Sequence, residues 1–392
     1  MKKRIAFVTN PMTVGGVERA LAALLNAIDY DKYDVVLWTK QLGGEFDKLI
    51  SPNVEVRCWN TGASKQELVN DLRHGRLLKV AKGLLYRILL RITCKDWVIN
   101  EFYESKVQKI CDEKPYDAVI AYQGLYSGVV ATSLYRLNAP VKIAWIHGAS
   151  SFNQKQSRFM EKQFQRFDHL FCVSEATKAE FCGKFPRVAE KTTVFYNLLD
   201  EKDIMEKARE PMDISMESAS IVTVGRISKP KGQILIPKAA RMLLDAGYSV
   251  YWYLVGDGEM RSQVEAEIEK YDVKDHVILL GTKLNPYPYI KNCDIYAQPS
   301  FSEGWGLTIQ EARILQKPIV VTNLPIMHEQ ICSGKNGLIV DSVTSDALCL
   351  GIKKLLAEPT LCDFFSKNLA AEECGNRSEV EKLYVLLEQN GD

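Results

Sequence analysis

The chain has 392 residues, 46% apolar and 25% charged, which is enough length and apolar material for two buried cores. Its 50 Lys and Arg against 49 Asp and Glu leave a formal net charge of +1, so no global field draws in nucleic acid or another polyanion. The 10 cysteines include no C-x-x-C pair and no regular spacing, which argues against a zinc site or disulfide framework and predicts free thiols in a reducing, cytoplasmic setting.

The opening MKKRIAFVTNPM has the basic start of a signal peptide, but its apolar run covers only Ile5 to Val8 before Thr9, Asn10 and Pro11, so it reads as a first strand. No window of about 18 uninterrupted apolar residues predicts a membrane-spanning helix. A helix from about Val17 to Ile28 follows, then the apolar runs DVVLWT, DAVIAY, KIAWIH, HLFCVS and TTVFYN. Between the first two of these, Arg73 to Lys95 is rich in Lys and Arg, free of acidic residues and interleaved with leucine and isoleucine. That basic amphipathic pattern predicts peripheral contact with an anionic membrane through residues 73–95, with roughly 1 kcal/mol available per basic side chain near the surface.

Residues Asn197 to Ser220 are dense in charge, hold Pro211 and predict no strand, which marks a linker. The same grammar then restarts with ASIVTVGRI, a helix from about Gln233 to Ala246, SVYWYLVGDG, HVILLG, CDIYAQPS and PIVVTN. From Ala347 to Asn390 the apolar spacing is helical. Strands alternating with helices predict two Rossmann-like α/β domains with parallel sheets facing across a cleft. The boundaries fall at 1–200, 201–370 and a C-terminal helical piece, 371–392, able to pack back on the first domain. Ligands of such sheets gather at the carboxyl ends of the strands, where the informative residues of this sequence also cluster.

The strongest cluster is SEGWGLTIQEA, Ser302 to Ala312. Gly304 and Gly306 allow close backbone approach, and the helix that starts there offers free amides to a diphosphate. Glu303 before the helix and Glu311 inside it can accept hydrogen bonds from two sets of sugar hydroxyls. The segment resembles the E-x7-E motif of retaining glycosyltransferases of the GT-B fold, the large family that includes sucrose synthase and many bacterial polysaccharide enzymes. VGRISKPKG from Val224 to Gly232 resembles the family's G-R-x4-K-G, LVGDGEMR with Gly256 and Gly258 its G-x-G loop, and NGLIV from Asn336 to Val340 a late G-L-hydrophobic segment. More loosely, Gly15-Gly16-Val17-Glu18 resembles its glycine-rich loop, Trp145-Ile146-His147-Gly148 its histidine segment and Tyr196-Asn197 its strand-end asparagine.

The resemblance implies a donor-binding C-terminal domain and an acceptor-binding N-terminal one. Arg226 and Lys231 are then expected on the donor pyrophosphate, Glu303 and His147 on the transferred sugar, and Glu311 on the ribose. Gly16, Gly225, Gly256, Gly258, Gly306, Leu307 and Thr308 complete the expected donor site. Two fixed cations do the work of a magnesium ion in that scheme, so no metal and no cofactor is expected. The implied reaction is retaining, metal-independent transfer from a nucleoside-diphosphate sugar to a lipid-linked or polysaccharide acceptor in bacterial surface polysaccharide synthesis, at the inner membrane face.

The NLPIMHEQI segment after Asn323 departs from the family's glycine-rich turn, which leaves base and sugar open. A sugar-nucleotide epimerase of the same fold is the alternative, and a silent nucleotide-sugar binder is a further one. A phosphorylase would be longer and carry a pyridoxal lysine. A dinucleotide oxidoreductase fits the grammar but not the details: the first loop, NPMTVGGVERA, lacks G-x-G-x-x-G, and the second strand ends at Thr39-Lys40 without an acid.

Overall fold

A computed structural model describes residues 2–59, 73, 81, 114–125, 127–148, 154–372 and 375–389. The basic amphipathic segment therefore lies outside the described residues, apart from Arg73 and Ala81. The chain divides into two compact units. The N-terminal unit comprises Met1–Val173, Thr177–Tyr196 and Ser378–Asp392, and the C-terminal unit Ser174–Ala176 and Asn197–Arg377.

The N-terminal unit is built on seven strands, β1 (Lys3–Thr9), β2 (Tyr33–Thr39), β3 (Glu55–Cys58), β4 (Ala118–Ala121), β5 (Val141–Ile146), β6 (His169–Cys172) and β7 (Thr192–Val194). They pair in the order β3-β2-β1-β4-β5-β6-β7, every pair parallel. Helices cover both faces of such a sheet, so its central strands are continuous apolar runs rather than alternating ones, and AVIA of β4 is buried at every position. Trp145 on β5 anchors an aromatic cluster with Phe171 and Phe195, ring centroids 4.9 and 4.4 Å away. The helix Val380–Gln389 belongs to this unit. Its Tyr384 ring stacks on Tyr33 at 4.9 Å, the Tyr384 hydroxyl accepts from the Asp29 amide at 2.7 Å, and the Leu387 carbonyl accepts from Lys3 Nζ at 2.7 Å.

The C-terminal unit has six strands, β8 (Ser220–Val224), β9 (Tyr251–Val255), β10 (Val277–Gly281), β11 (Ile295–Gln298), β12 (Ile319–Thr322) and β13 (Leu338–Val340), in the order β10-β9-β8-β11-β12-β13, again all parallel. Its core includes Ile221, Trp252, Leu254, Ala297 and Val320 from the sheet, with Ala239 and Leu243 of the helix Ile236–Asp245 and Leu348 and Ile352 of the helix Ser345–Ala357 packed on it. The one polar atom of the Trp252 ring is satisfied inside this core: Nε1 donates to Thr223 Oγ1 at 3.0 Å, and that hydroxyl donates to the Ala297 carbonyl at 2.6 Å.

The sequence did not predict two strands, β3 and β13, which sit at one edge of each sheet. β3 is EVRC, exposed at both ends, so its apolar content is too thin to stand out. The charged stretch read as a linker holds a helix, Glu201–Lys207, capped by Asp200, whose carboxylate accepts from the Asp203 amide at 3.1 Å.

Candidate active site

In each sheet the strand order reverses once, at β1/β4 and at β8/β11, which opens a crevice at the carboxyl ends of those strands. In the C-terminal unit the loops after β8, β9 and β11 meet there. The Gly225 amide donates to the Val255 carbonyl at 2.9 Å, the Ile227 amide to the Asp257 carbonyl at 3.0 Å and the Met260 amide to the Ile227 carbonyl at 3.0 Å, so the first two loops are laced together. The amides of Phe301 and Ser302 both donate to the Pro230 carbonyl, at 2.7 and 3.1 Å, which ties in the third.

This nesting needs glycine. Gly256 has φ +146°, and a Cβ there would lie 2.0 Å from the Gly225 carbonyl oxygen. One on Gly232, at φ +69°, would lie 1.9 Å from the Pro299 oxygen. Such contacts are with backbone, which cannot swing away as a side chain can.

Lys231 and Glu303 meet at the junction. Lys231 Nζ donates to both carboxylate oxygens at 2.7 Å, the glutamate side chain being 5% exposed and the lysine 27%. Arg226, on the same loop after β8 as Lys231, is exposed, its side-chain root next to Gly258 and its carbonyl held by Gln233 Nε2 at 2.9 Å. Gly306 caps the helix Leu307–Ile314 in the left-handed conformation. The amides of Leu307 and Thr308, in that helix's first turn, have no carbonyl four residues back in the helix, which makes the turn a natural anion cradle.

Glu311 lies one turn further on and is buried, 1% exposed. Trp305, also buried, locks the loop by donating from Nε1 to Gln310 Oε1 at 2.7 Å, while Gln330 donates to the Trp305 carbonyl. The structure thus brings Gly225, Arg226, Lys231, Gly256, Gly258, Glu303, Gly306, Leu307, Thr308 and Glu311 to one end of one sheet.

The remaining two predicted residues, Gly16 and His147, stand at the strand ends of the N-terminal unit. Gly16 opens the helix Gly16–Ala27 after β1. Glu18 of its first turn accepts from Gln123 Nε2 at 2.9 Å, and Gln123 Oε1 accepts from the Asn10 amide at 3.0 Å, which ties the ends of β1 and β4 together. His147 follows β5, its ring 4.6 Å from that of Tyr122. Neither ring nitrogen has a hydrogen-bond partner of good geometry among the described residues. Burial pushes the imidazole pKa down to about 3, with the Tyr122 backbone acting against it, so the ring is neutral at physiological pH.

Sequence reading missed the groups that hold Glu303 from below. Ser300 Oγ donates to Glu303 Oε1 at 2.7 Å and Gln298 Nε2 lies 3.4 Å from the same oxygen. The signal was present as polar side chains at alternating positions of CDIYAQPS, a segment otherwise read only as a buried strand.

Two all-parallel α/β units with the strand ends furnished in this way define the GT-B class of fold, and solved structures agree. The chain is similar to HepE of Anabaena in complex with UDP and glucose, with TM-score 0.70 and 20% identity over 98% of this chain and 99% of that one. The chain belongs to the group 1 glycosyltransferases: residues 204–371 match the family model for glycosyl transferases group 1, and residues 14–203 that for glycosyltransferase family 4.

Among curated relatives, the N-acetylgalactosamine-N,N'-diacetylbacillosaminyl-diphospho-undecaprenol 4-alpha-N-acetylgalactosaminyltransferase of Campylobacter jejuni is 26% identical over 54% of this chain and 57% of its own length. The capsular polysaccharide biosynthesis glycosyltransferase CapM of Staphylococcus aureus is 25% identical over 43% of this chain and 44% of its own. The chain thus spans about half the length of these relatives.

Proposed function

We propose that the protein transfers a sugar, with retention and without a metal ion, from a nucleoside-diphosphate sugar to a lipid-linked or polysaccharide acceptor in bacterial surface polysaccharide synthesis. The observation that carries this reading is the Lys231–Glu303 pair at the β8/β11 crevice, with Arg226 on the same loop as Lys231 and the helix Leu307–Ile314 starting from the loop that holds Glu303. The named relatives, one acting on an undecaprenol-linked sugar and one in capsule synthesis, support the choice of acceptor and setting.

In this scheme Lys231 and Arg226 hold the diphosphate with the amides of Gly306, Leu307 and Thr308, Glu311 takes the ribose hydroxyls and Glu303 those of the sugar. Gly225, Gly256 and Gly258 keep the backbone close, while Gly16 and the neutral His147, at the strand ends of the N-terminal unit, are given to the substrate by the family resemblance. The bond from the anomeric carbon to the phosphate oxygen breaks. The charge left on the diphosphate falls on groups already fixed in place, which lowers the barrier without reorganisation. The acceptor hydroxyl oxygen bonds to the anomeric carbon on the face just vacated, and its proton passes to the departing phosphate oxygen. No enzymic nucleophile and no cofactor takes part.

The test is a panel of UDP- and GDP-sugars, with and without a polyprenyl-linked glycan, read as nucleoside diphosphate release in the presence and absence of EDTA. Release that is unchanged by EDTA within about twofold is expected. Isomerisation of a sugar nucleotide without release would establish the epimerase alternative instead, and activity restored only by Mg²⁺ or Mn²⁺ would reject the role given to Arg226 and Lys231.

A further inference from the structure

Glu303 poses an electrostatic problem. Its carboxylate is 5% exposed, and a buried charge left without donors takes up a proton or moves. Lys231 supplies donors to both oxygens, but the reading above sends Lys231 to the diphosphate when the donor binds. What remains on the carboxylate from the protein side, beside the sugar hydroxyls it meets in that scheme, then decides whether Glu303 stays in place.

The remaining groups form a chain. Tyr296, Gln298 and Ser300, each 0% exposed, alternate along β11 and its extension and so project to one face. The Tyr296 hydroxyl donates to Gln298 Oε1 at 2.8 Å, Gln298 Nε2 donates to Ser300 Oγ at 2.9 Å, and Ser300 Oγ donates to Glu303 Oε1 at 2.7 Å. The chain starts at a phenol that burial raises well above its ordinary pKa, so Tyr296 keeps its proton and has it to offer to the glutamine oxygen. The glutamine amide must then face Ser300, whose hydroxyl is left to point at Glu303. Thr322 Oγ1, donating to the Ser300 carbonyl at 2.6 Å, fixes the backbone under it.

We infer that Tyr296, Gln298 and Ser300 are a positioning relay that keeps the Glu303 carboxylate oriented after Lys231 turns to the donor diphosphate. The inference rests on the role proposed above for Glu303 and adds three residues that never touch the substrate. Such a relay acts on turnover, whereas a packing role would act on stability and on nucleotide binding alike.

The experiment compares Ser300→Ala, Gln298→Leu and Tyr296→Phe with Glu303→Gln, using whichever sugar nucleotide of the panel is turned over fastest. For Ser300→Ala and Gln298→Leu the expected result is a loss of about tenfold or more in kcat, as for a charge-assisted hydrogen bond. Inhibition by free UDP or GDP should stay within about twofold, so that the loss falls on kcat and not on nucleotide binding. Tyr296→Phe, the smallest change, should show a weaker form of the same pattern and keeps the test alive if a core variant fails to fold. Ser300→Thr, which retains the hydroxyl, should restore the rate.

Failure of Ser300→Thr to restore the rate, or loss of rate in step with nucleotide affinity and thermal stability, overturns the relay. Full activity of Ser300→Ala beside an inactive Glu303→Gln removes the relay alone. Full activity of Glu303→Gln removes the proposed role of Glu303 and the relay with it.

Discussion

The two units share a parallel topology with one reversal of strand order, yet they furnish their crevices in opposite ways. At β8/β11 the chain places fixed charges, Lys231, Arg226 and the buried Glu303, on loops nested so closely that only glycine fits between them. At β1/β4 and the end of β5 it places Gln123, Tyr122 and an imidazole held uncharged by burial beside the Glu18 carboxylate that accepts from Gln123, and only that carboxylate tip crowds Gly15. One scaffold therefore presents one end with Lys231 and Arg226, suited to a diphosphate, and another where neutral groups surround a carboxylate, and the difference lies in loop residues rather than in the sheets.

The largest expected effect comes from the end with Lys231 and Arg226. Lys231→Ala should lower donor turnover by about a hundred- to a thousandfold, measured as nucleoside diphosphate release on protein whose melting temperature has been checked. His147→Asn should cost less, since it exchanges one neutral polar group for another. If the two losses were equal, the contrast between the units would have no chemical meaning.

Next comes the backbone. Gly256→Ala forces a Cβ to within 2.0 Å of a carbonyl oxygen, whereas Gly15→Ala meets only the carboxylate end of Glu18, which can rotate. Urea unfolding should show a loss of about 2–4 kcal/mol for the first and under about 1 kcal/mol for the second.

The smallest effect is acid sensitivity confined to the N-terminal unit. Burial lowers His147 to about 3, and burial and then the nearby Lys191 charge lower His169 to about 4. In the unfolded chain both titrate near about 6.5, so above that pH neither affects stability. As pH falls from 6.5 toward 4 and then 3, the unfolded state binds protons that the folded state refuses, and stability is lost. The urea midpoint should therefore fall between pH 7.5 and pH 5, and His169→Gln should flatten that slope. A slope untouched by the substitution would assign the acid sensitivity elsewhere.

Much of this was visible before any coordinates. Buried parallel strands announce themselves as apolar runs such as DVVLWT and DAVIAY, and strand-to-helix turns need glycine, so both sheets and most loop residues could be read directly. Edge strands could not: EVRC buries too little to leave an apolar signature, and β13 was legible only as part of a motif. The helix Glu201–Lys207 hid in a run of charges because few of its side chains face a core. The relay under Glu303 was missed for a different reason. Polar residues near a strand end normally signal the turn to come, and only the hydrogen-bond geometry distinguishes a buried chain of donors from a solvated one.

The return of the helix Val380–Gln389 to the N-terminal unit has a consequence for how the protein is made. Tyr33 and Lys3 wait for partners, Tyr384 and Leu387, that leave the ribosome only after residues 197–377 have been synthesised. The first unit therefore cannot close over Tyr33 during synthesis, and a chain cut short near residue 377 would leave the surface around Tyr33 exposed to chaperones.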